Sequence, residues 1–234
     1  MLAQSGDEPR VTGNEKFLET RNSQLVPHVI LFLSPTQTDM ISAMRRAWTI
    51  PLVLLLLSGC GTRGSSTASC DQLYWNEDLK LGTCLPTGWK ALSSTVLRDQ
   101  GAPEETVAAF QSTEPRDGQF DTVTVTKEPL AQEMGSSDYG EANVVAVSVL
   151  PDYQRRDKQD IKIDGNAAII HVFSARPIAD KPIRRYYQLS VTREKEGFTF
   201  TGSMPLAIDD ASEAQVLTIL KNVTFTSQQS SSAK

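Results

Sequence analysis

Alternating apolar and polar residues along much of the chain after residue 70 predict β-strands. In residues 121–127, Val123 and Val125 alternate with threonines, which is the period-two pattern of a half-buried strand. Asp164 and Gly165 form a two-residue sequence that predicts a hairpin turn between the flanking strands. The same reasoning places further strands at residues 73–75, 80–85, 106–111, 161–163, 166–174, 184–193 and 198–204.

The predicted strand at residues 166–174 is apolar on both of its faces. One face carries Ala168, Ile170 and Val172, and the other carries Ala167, Ile169 and Phe173. A strand of this kind is covered on both sides. The pattern therefore predicts an α+β fold, with helices packed on a central antiparallel sheet, rather than a barrel.

A helix is predicted near the end of the chain, at residues 210–220. Asp210 followed by Glu213 resembles a capping box at a helix start. Val216, Leu217 and Leu220 then share one side of the helix, which predicts that this side packs on the sheet.

Residues 137–150 carry conflicting signals. Four valines between residues 144 and 149 favour a strand by propensity. Ser137 and Asp138 instead indicate a helix start, and Pro151 indicates its end. The residues alone leave both interpretations open.

A short apolar segment upstream has the organisation of an export signal. Arg45 and Arg46 precede an apolar run at residues 47–57, and small residues follow it. The alternative is a transmembrane helix, but the run is too short to span about 30 Å of hydrocarbon and contains Pro51. The sequence Leu-Ser-Gly-Cys ending at Cys60 resembles the bacterial lipobox, so we expect Cys60 to be lipidated and to attach the protein to a membrane.

These signals divide the chain into five parts. Residues 1–43 do not fit an exported protein, and we interpret them as an extension before the true start at Met44 or Met40. Residues 44–59 are the predicted lipoprotein signal peptide, and residues 60–69 are a flexible tether rich in Gly, Ser and Thr. Residues 70–226 form a single predicted domain, followed by a disordered tail at residues 227–234.

Charge and composition exclude several classes of protein. The net charge is −5, and five basic and five acidic residues precede Cys60, so the exported chain keeps the same balance. A mildly acidic chain is a poor general binder of nucleic acid, and we expect no nucleic-acid partner. Charged residues make up 22% and apolar residues 39%, which excludes wholesale disorder and a polytopic membrane protein.

Two cysteines remain if Cys60 is lipidated. Cys70 and Cys84 form an even pair in an oxidising compartment, and their short spacing suits a disulfide that closes the first hairpin. The alternative is two buried free thiols. A metal site is not expected, because His171 is the only histidine after Cys60 and two cysteines supply too few ligands.

Few residues have a pattern that indicates catalysis. His171 lies in the middle of an apolar strand, where a structural histidine is the more common interpretation. No nucleophile elbow, zinc-protease motif or phosphate-binding glycine loop occurs. The spacing of Asp157, Asp160 and Asp164 matches no calcium loop, and neighbouring basic residues neutralise them, so a solvated charged strand is the simpler interpretation.

Two pairs of arginines are the one basic feature. If their strands are neighbours, the four side chains form a candidate contact for an anion or a lipid headgroup, at Arg155, Arg156, Arg184 and Arg185. The alternative is scattered charge that only keeps the surface soluble.

Several short motifs, in order, resemble the Mog1/PsbP-like fold family and in particular its bacterial lipoprotein members. They are Leu85-Pro86-Thr87-Gly88-Trp89 after the first hairpin, the strand at residues 123–130, Ser137-Asp138-Tyr139, Ile163-Asp164-Gly165-Asn166-Ala167-Ala168, and the last helix leading into Val223-Thr224-Phe225. The resemblance covers roughly residues 70–226. It implies an α/β/α sandwich with helices on both faces of an antiparallel sheet, a helix rather than a strand at residues 137–150, and a closing strand at residues 223–225.

The resemblance also implies function by binding rather than by catalysis, without a cofactor. We therefore expect a lipid-anchored envelope protein that acts as an accessory module of a membrane-associated assembly and binds an envelope protein partner. A carrier of a small ligand or lipid, with an apolar cleft between sheet and helices, is the alternative, and an enzyme of unknown type is third.

Overall fold

A computed structural model describes residues 69–178 and 180–227 of the chain. The predicted signal peptide, Cys60 and most of the tether and tail lie outside these residues. Within the described ranges, no helix is long and apolar enough to cross a membrane.

The described residues form nine strands and three helices. In chain order these are β1 (Gln72–Asn76), β2 (Leu81–Leu85), β3 (Trp89–Ala91), α1 (Ser94–Asp99), β4 (Thr106–Arg116), β5 (Gln119–Pro129), α2 (Ser136–Val147), β6 (Gln154–Ile163), β7 (Asn166–Ala175), β8 (Arg184–Arg193), β9 (Glu196–Pro205) and α3 (Asp210–Lys221). Seven strands form an antiparallel sheet in the order β3-β4-β5-β9-β8-β7-β6, and β1 and β2 form a separate hairpin.

Helices cover both faces of the sheet, which confirms the predicted α+β sandwich. On β7, Ile170 and its neighbours at 168 and 172 belong to the main core together with Val216 and Ile219 of α3. Phe173 lies on the opposite face and packs with Val147 of α2 in a second core. The apolar character of both faces of β7 thus reflects a helix on each side of the strand.

The helix α3 begins at residue 210, as predicted, but the residue that caps it is Asp209 and not Asp210. Asp209 caps it, because its Oδ1 accepts hydrogen bonds from the backbone N–H and the hydroxyl of Ser212 at 2.7 and 2.5 Å. Val216 then packs directly on Gly202 of β9, where a Cβ would lie 2.7 Å from the Val216 Cγ1. A glycine at this position lets the helix approach the sheet closely.

The segment with conflicting signals is helical, as the family resemblance implied. The hydroxyl of Tyr139 lies 2.6 Å from the Glu128 carboxylate and 3.1 Å from the Thr199 hydroxyl. Asn143 donates to the hydroxyls of Ser190 and Thr199 at 2.8 and 3.1 Å. These contacts with the sheet outweigh the preference of the valines for strand.

Three features of the sequence interpretation are corrected by the structure. β6 begins at Gln154, whereas the sequence predicted a start at residue 161. The pattern missed the first half of this strand because its charged residues show no apolar alternation. β3 and α1 are too short to produce a periodic pattern, and neither was predicted. The expected closing strand at residues 223–225 is a single bridge between Thr224 and Gly82, with N···O distances of 2.8 and 2.9 Å.

Candidate functional site

The first hairpin is attached firmly to the rest of the domain through its inner face. Tyr74 of β1 packs edge-on against Phe110, with ring centroids 5.0 Å apart. The Thr83 hydroxyl donates to the Ile219 carbonyl at 2.6 Å, and Leu81 and Leu85 are fully buried. These contacts fix the position of both strands against α3 and β4.

The outer face of the hairpin is apolar, although it is turned away from the core. Leu73 is 68% exposed, and Trp75 follows it two residues later on the same side of β1. The Trp75 ring lies across Gly82 of β2, where a Cβ would come within 2.7 Å of its Cε3. We call Leu73, Trp75, Gly82 and the neighbouring disulfide the hairpin face.

The structure joins Cys70 and Cys84 in a disulfide, the pairing that the cysteine count indicated. Their Cα atoms are 5.5 Å apart, and the bond closes the open end of the hairpin just before β1. Cys84 is opposite Leu73 in the register, so the sulfur atoms border the exposed leucine.

A cleft of about 330 Å³ opens on the hairpin face. Its surface is mainly apolar, and its far side is the segment after α3, at Asn222, Thr224 and Ser227. The bridge between Thr224 and Gly82 holds this segment beside β2. The size lies at the lower end of the range for small-molecule sites.

The outer edge of β1 is an unpaired strand edge that carries no charge. Among the described strands, β1 pairs only with β2, and its five residues are Gln, Leu, Tyr, Trp and Asn. The long edge strand of the large sheet, β6, is different, because six of its ten residues are charged. Charges on an edge strand prevent pairing with another chain, so β6 is protected in a way that β1 is not.

Sequence reasoning identified this hairpin but missed its candidate function. The alternation in residues 72–76 assigns Leu73 and Trp75 to one side of a strand and Tyr74 to the other. It does not indicate which side meets the core, because both sides carry a large apolar residue. The one available signal was the lack of charge in a strand at the start of the domain.

The four arginines do not form a single patch, which corrects that expectation. β7 lies between β6 and β8, so the strands that carry the two pairs are not neighbours. Arg184 is only 5% exposed and donates to the Ser203 hydroxyl, the Ser203 carbonyl and Gln119. Its guanidinium has a structural role and is closed to an external anion.

Two of the arginines do lie close to each other. Arg156 donates from Nε to the Ser174 hydroxyl at 3.1 Å, and Ser174 is opposite Arg185 in the register. Arg185 in turn lies 3.5 Å from the hydroxyl of Tyr187, which donates to Glu213 at 2.9 Å. The negative charge of Glu213 makes Arg156 and Arg185 a weaker binding site for an anion.

His171 is buried and lies in an aromatic stack rather than in a cleft. It is 3% exposed, stacks on Phe173 with ring centroids 5.0 Å apart, and its Nε2 is hydrogen-bonded to the Tyr153 hydroxyl at 3.0 Å. Burial lowers the pKa of His171 from 6.5 to about 4; Arg155 adds to this shift and Glu141 opposes it. These contacts are those of a structural histidine.

The buried state of His171 predicts a pH-dependent stability. The unfolded chain takes up a proton below about pH 6.5, while the folded protein keeps His171 neutral down to about pH 4. The neutral His171 therefore makes its full contribution to the free energy of unfolding above pH 6.5. As the pH falls from 6.5 to 4, the free energy of unfolding decreases by about 3 kcal/mol. Urea unfolding of the His171→Gln variant should show a shallower loss between pH 7 and 4 than the wild type. Equal slopes would contradict this assignment.

Within residues 69–178 and 180–227, no group of three or more His, Cys, Asp or Glu side chains is arranged to hold a metal ion. Asp164 instead accepts hydrogen bonds from the Phe225 N–H and the Thr224 hydroxyl at 2.6 and 2.7 Å. Asp157 accepts from the Lys158 N–H and from Gln159. These carboxylates organise local backbone and side chains.

Comparison with known proteins gives matches among solved structures only. No family model and no curated protein matches the chain. The cyanobacterial PsbP (CyanoP) from Synechocystis sp. PCC 6803 is 15% identical, with a TM-score of 0.47, covering 71% of this chain and 97% of that one. LpqN of Mycobacterium tuberculosis, described as involved in cell envelope biogenesis, is 14% identical with a TM-score of 0.47, covering 62% and 82%.

A third match is a protein of unknown function, PA94, from Pseudomonas aeruginosa. It is 13% identical with a TM-score of 0.39, and the alignment covers 57% of this chain and 82% of that one. The matched structures thus include a PsbP protein. At these identities the similarity concerns the fold alone.

Proposed function

We propose that the protein is a lipid-anchored envelope lipoprotein that acts as a non-catalytic interaction module and docks a membrane-associated assembly through the hairpin face. The observation that carries this proposal is an exposed leucine beside a tryptophan on an uncharged, unpaired edge strand. Monomeric proteins rarely leave such a surface without a partner.

The position of the hairpin along the chain supports docking close to a membrane. Cys60 precedes Ser69, the first described residue, by only nine positions. A flexible Gly/Ser-rich tether of that length has an r.m.s. span of about 15–18 Å. The hairpin is the first element after this tether, which supports docking close to the anchoring membrane, on its periplasmic or extracellular side.

The hairpin face is large enough to supply a useful part of a binding energy. Complete burial of one large apolar side chain contributes about 1.5–3 kcal/mol. Tryptophans are also enriched among the residues that dominate binding at protein interfaces. Trp75 is already fixed against Gly82, so it loses little conformational freedom when a partner binds.

A charge placed on the hairpin face should release the partner. The wild type, extracted from native membranes in mild nonionic detergent, is expected to migrate on native gels as a complex larger than the free protein. Leu73→Asp should migrate as the free protein, because the carboxylate would have to be desolvated in the interface. Val145→Asp on α2 is the matched control, since Val145 is 69% exposed and Leu73 is 68% exposed. Identical migration of all three proteins would contradict the proposal.

The cleft favours a carrier of a small apolar ligand as the second candidate function. A volume of about 330 Å³ accommodates a small molecule or part of an acyl chain. This cleft lies on the hairpin, whereas the carrier predicted from sequence would have its cleft between sheet and helices. Native mass spectrometry distinguishes a carrier from a docking module. A carrier should be detected with the added mass of a small ligand, and a docking module with the added mass of a partner protein.

A further inference from the structure

We infer that the hairpin face binds an extended segment of a partner protein, which adds to the outer edge of β1 as a third strand and which is apolar in its centre and basic at both ends. This inference rests on the proposed docking function and specifies the kind of partner. It depends on the backbone of β1, on the side chains of the hairpin face and on the charges at the two ends of the strand.

The backbone of β1 offers a template for strand addition. Its inner edge pairs with β2 from Gln72 to Asn76, and no described strand pairs with its outer edge. The N–H and C=O groups on an outer edge alternate with those used inside the hairpin, and a strand supplied by a partner satisfies them. Main-chain hydrogen bonds then provide affinity that does not depend on the partner's sequence.

The side chains of β1 determine which residues of the partner face them. Leu73 and Trp75 project from the outer face of the hairpin, so the partner residues beside them must be apolar. On the inner face, Gln72 and Asn76 flank the packed Tyr74, so the partner residues on that side can be polar. The occupant is therefore an alternating strand without central charges.

Acidic residues lie at both ends of the uncharged strand. Asp71 precedes β1, and Glu77 and Asp78 follow it, all three exposed. Lys80 pairs with Glu77 at 3.1 Å, and Arg193, which donates to the Leu79 and Lys80 carbonyls, pairs with Glu196. Asp78 at this end and Asp71 at the other have no ion-pair partner among the described residues and keep their negative charge. Basic residues on either side of the partner's apolar centre complement this distribution.

The hairpin is preorganised for a partner strand. The disulfide closes one end of it, the Thr83 hydroxyl attaches β2 to the last turn of α3, and the bridge to Thr224 occupies the other edge of β2. The outer edge of β1, in contrast, pairs with no strand among the described residues. A rigid edge avoids the ordering entropy that weakens docking on flexible segments.

The same charges disfavour two other occupants. An anionic bilayer surface is repelled by Asp71, Glu77 and Asp78. In a second copy of this chain, antiparallel pairing centred on Tyr74 would put Asp71 opposite Glu77 and bring like charges together. A basic-flanked strand is attracted at both positions.

Synthetic peptides test the inference on the acylated, full-length mature protein in nonionic detergent. Three fluorescent peptides share a central Thr-Val-Thr-Val-Thr segment: one is flanked by two lysines at each end, one by two glutamates, and one is the lysine peptide with alternate backbone nitrogens methylated. Fluorescence anisotropy gives each Kd, and hydrogen exchange with mass spectrometry reports protection of residues 72–76.

The lysine peptide is expected to bind roughly tenfold more tightly than the glutamate peptide, because both ends change from attraction to repulsion. Methylation should weaken binding at least as much, since it removes the main-chain donors. The lysine peptide should protect residues 72–76 from exchange, Leu73→Asp should abolish this protection, and Val145→Asp should retain it.

Equal affinity for the lysine and glutamate peptides would overturn the inference, as would binding that survives methylation. No measurable binding at about 1 mM lysine peptide would overturn it too. Protection of residues 72–76 by phosphatidylglycerol vesicles alone would assign the face to lipid, and protection that rises with protein concentration alone would assign it to a second copy. If Leu73→Asp still releases a native complex while the peptides fail, the docking function stands and strand addition is wrong.

Discussion

Replacement of Cys60 by Ser is expected to abolish acylation and to remove the protein from the membrane fraction. The thiol of Cys60 is the only acceptor in the Leu-Ser-Gly-Cys sequence that follows the apolar run, and a hydroxyl does not replace it. Two or three acyl chains make an anchor stable, so their loss changes the distribution almost completely.

Growth with radiolabelled palmitate, followed by fractionation, measures this effect. The wild type should carry label and sediment with membranes, and Cys60→Ser should be unlabelled. The matched control is Ser69→Ala, which changes the tether close to the domain and leaves residues 57–60 intact. Wild-type protein that is soluble and unlabelled would contradict the anchoring proposal and would also remove the argument for docking near a membrane.

Removal of the disulfide is expected to lower the free energy of unfolding by about 2–4 kcal/mol. The bond closes a loop between residues 14 positions apart and restricts the unfolded chain. It also fixes the open end of the hairpin, so the hairpin face should loosen before the large sheet does. The double variant Cys70→Ala/Cys84→Ala removes the bond without leaving an unpaired thiol.

Urea unfolding of the wild type and the double variant, each with and without reductant, measures the contribution of the bond. Reductant should destabilise the wild type by the same amount as the double substitution and should not affect the double variant. Hydrogen exchange should increase first in residues 72–76. Alkylation of both cysteines in native, unreduced protein would contradict the pairing.

The hairpins and helices that have strong local signals could be predicted from the sequence. Asp164 and Gly165 adopt positive φ angles of 48° and 84° between β6 and β7, as a two-residue turn of this type requires. The pattern in residues 121–127 likewise identified the middle of β5. The first signal comes from the local backbone geometry of the turn, and the second from the alternation of valines with threonines along β5.

Features that depend on tertiary context could not be predicted. The first half of β6 is a charged, exposed edge, so its residues resemble a loop as closely as a strand. The two arginine pairs lie apart because β7 lies between β6 and β8 in the sheet, and the sequence does not show this strand order. The hairpin face was missed because Leu73 and Tyr74 are both large and apolar, and only the three-dimensional structure shows which of them meets Phe110.

Site-specific photocrosslinking in intact cells tests the central claim most directly. A photoreactive phenylalanine derivative replaces Leu73 in one strain and Val145 in a second, since these two side chains are almost equally exposed. A docking module that uses the hairpin face should give a discrete, light-dependent protein adduct from position 73 and little or none from position 145. Equal protein adducts from the two positions, or adducts with lipid alone at position 73, would contradict the account.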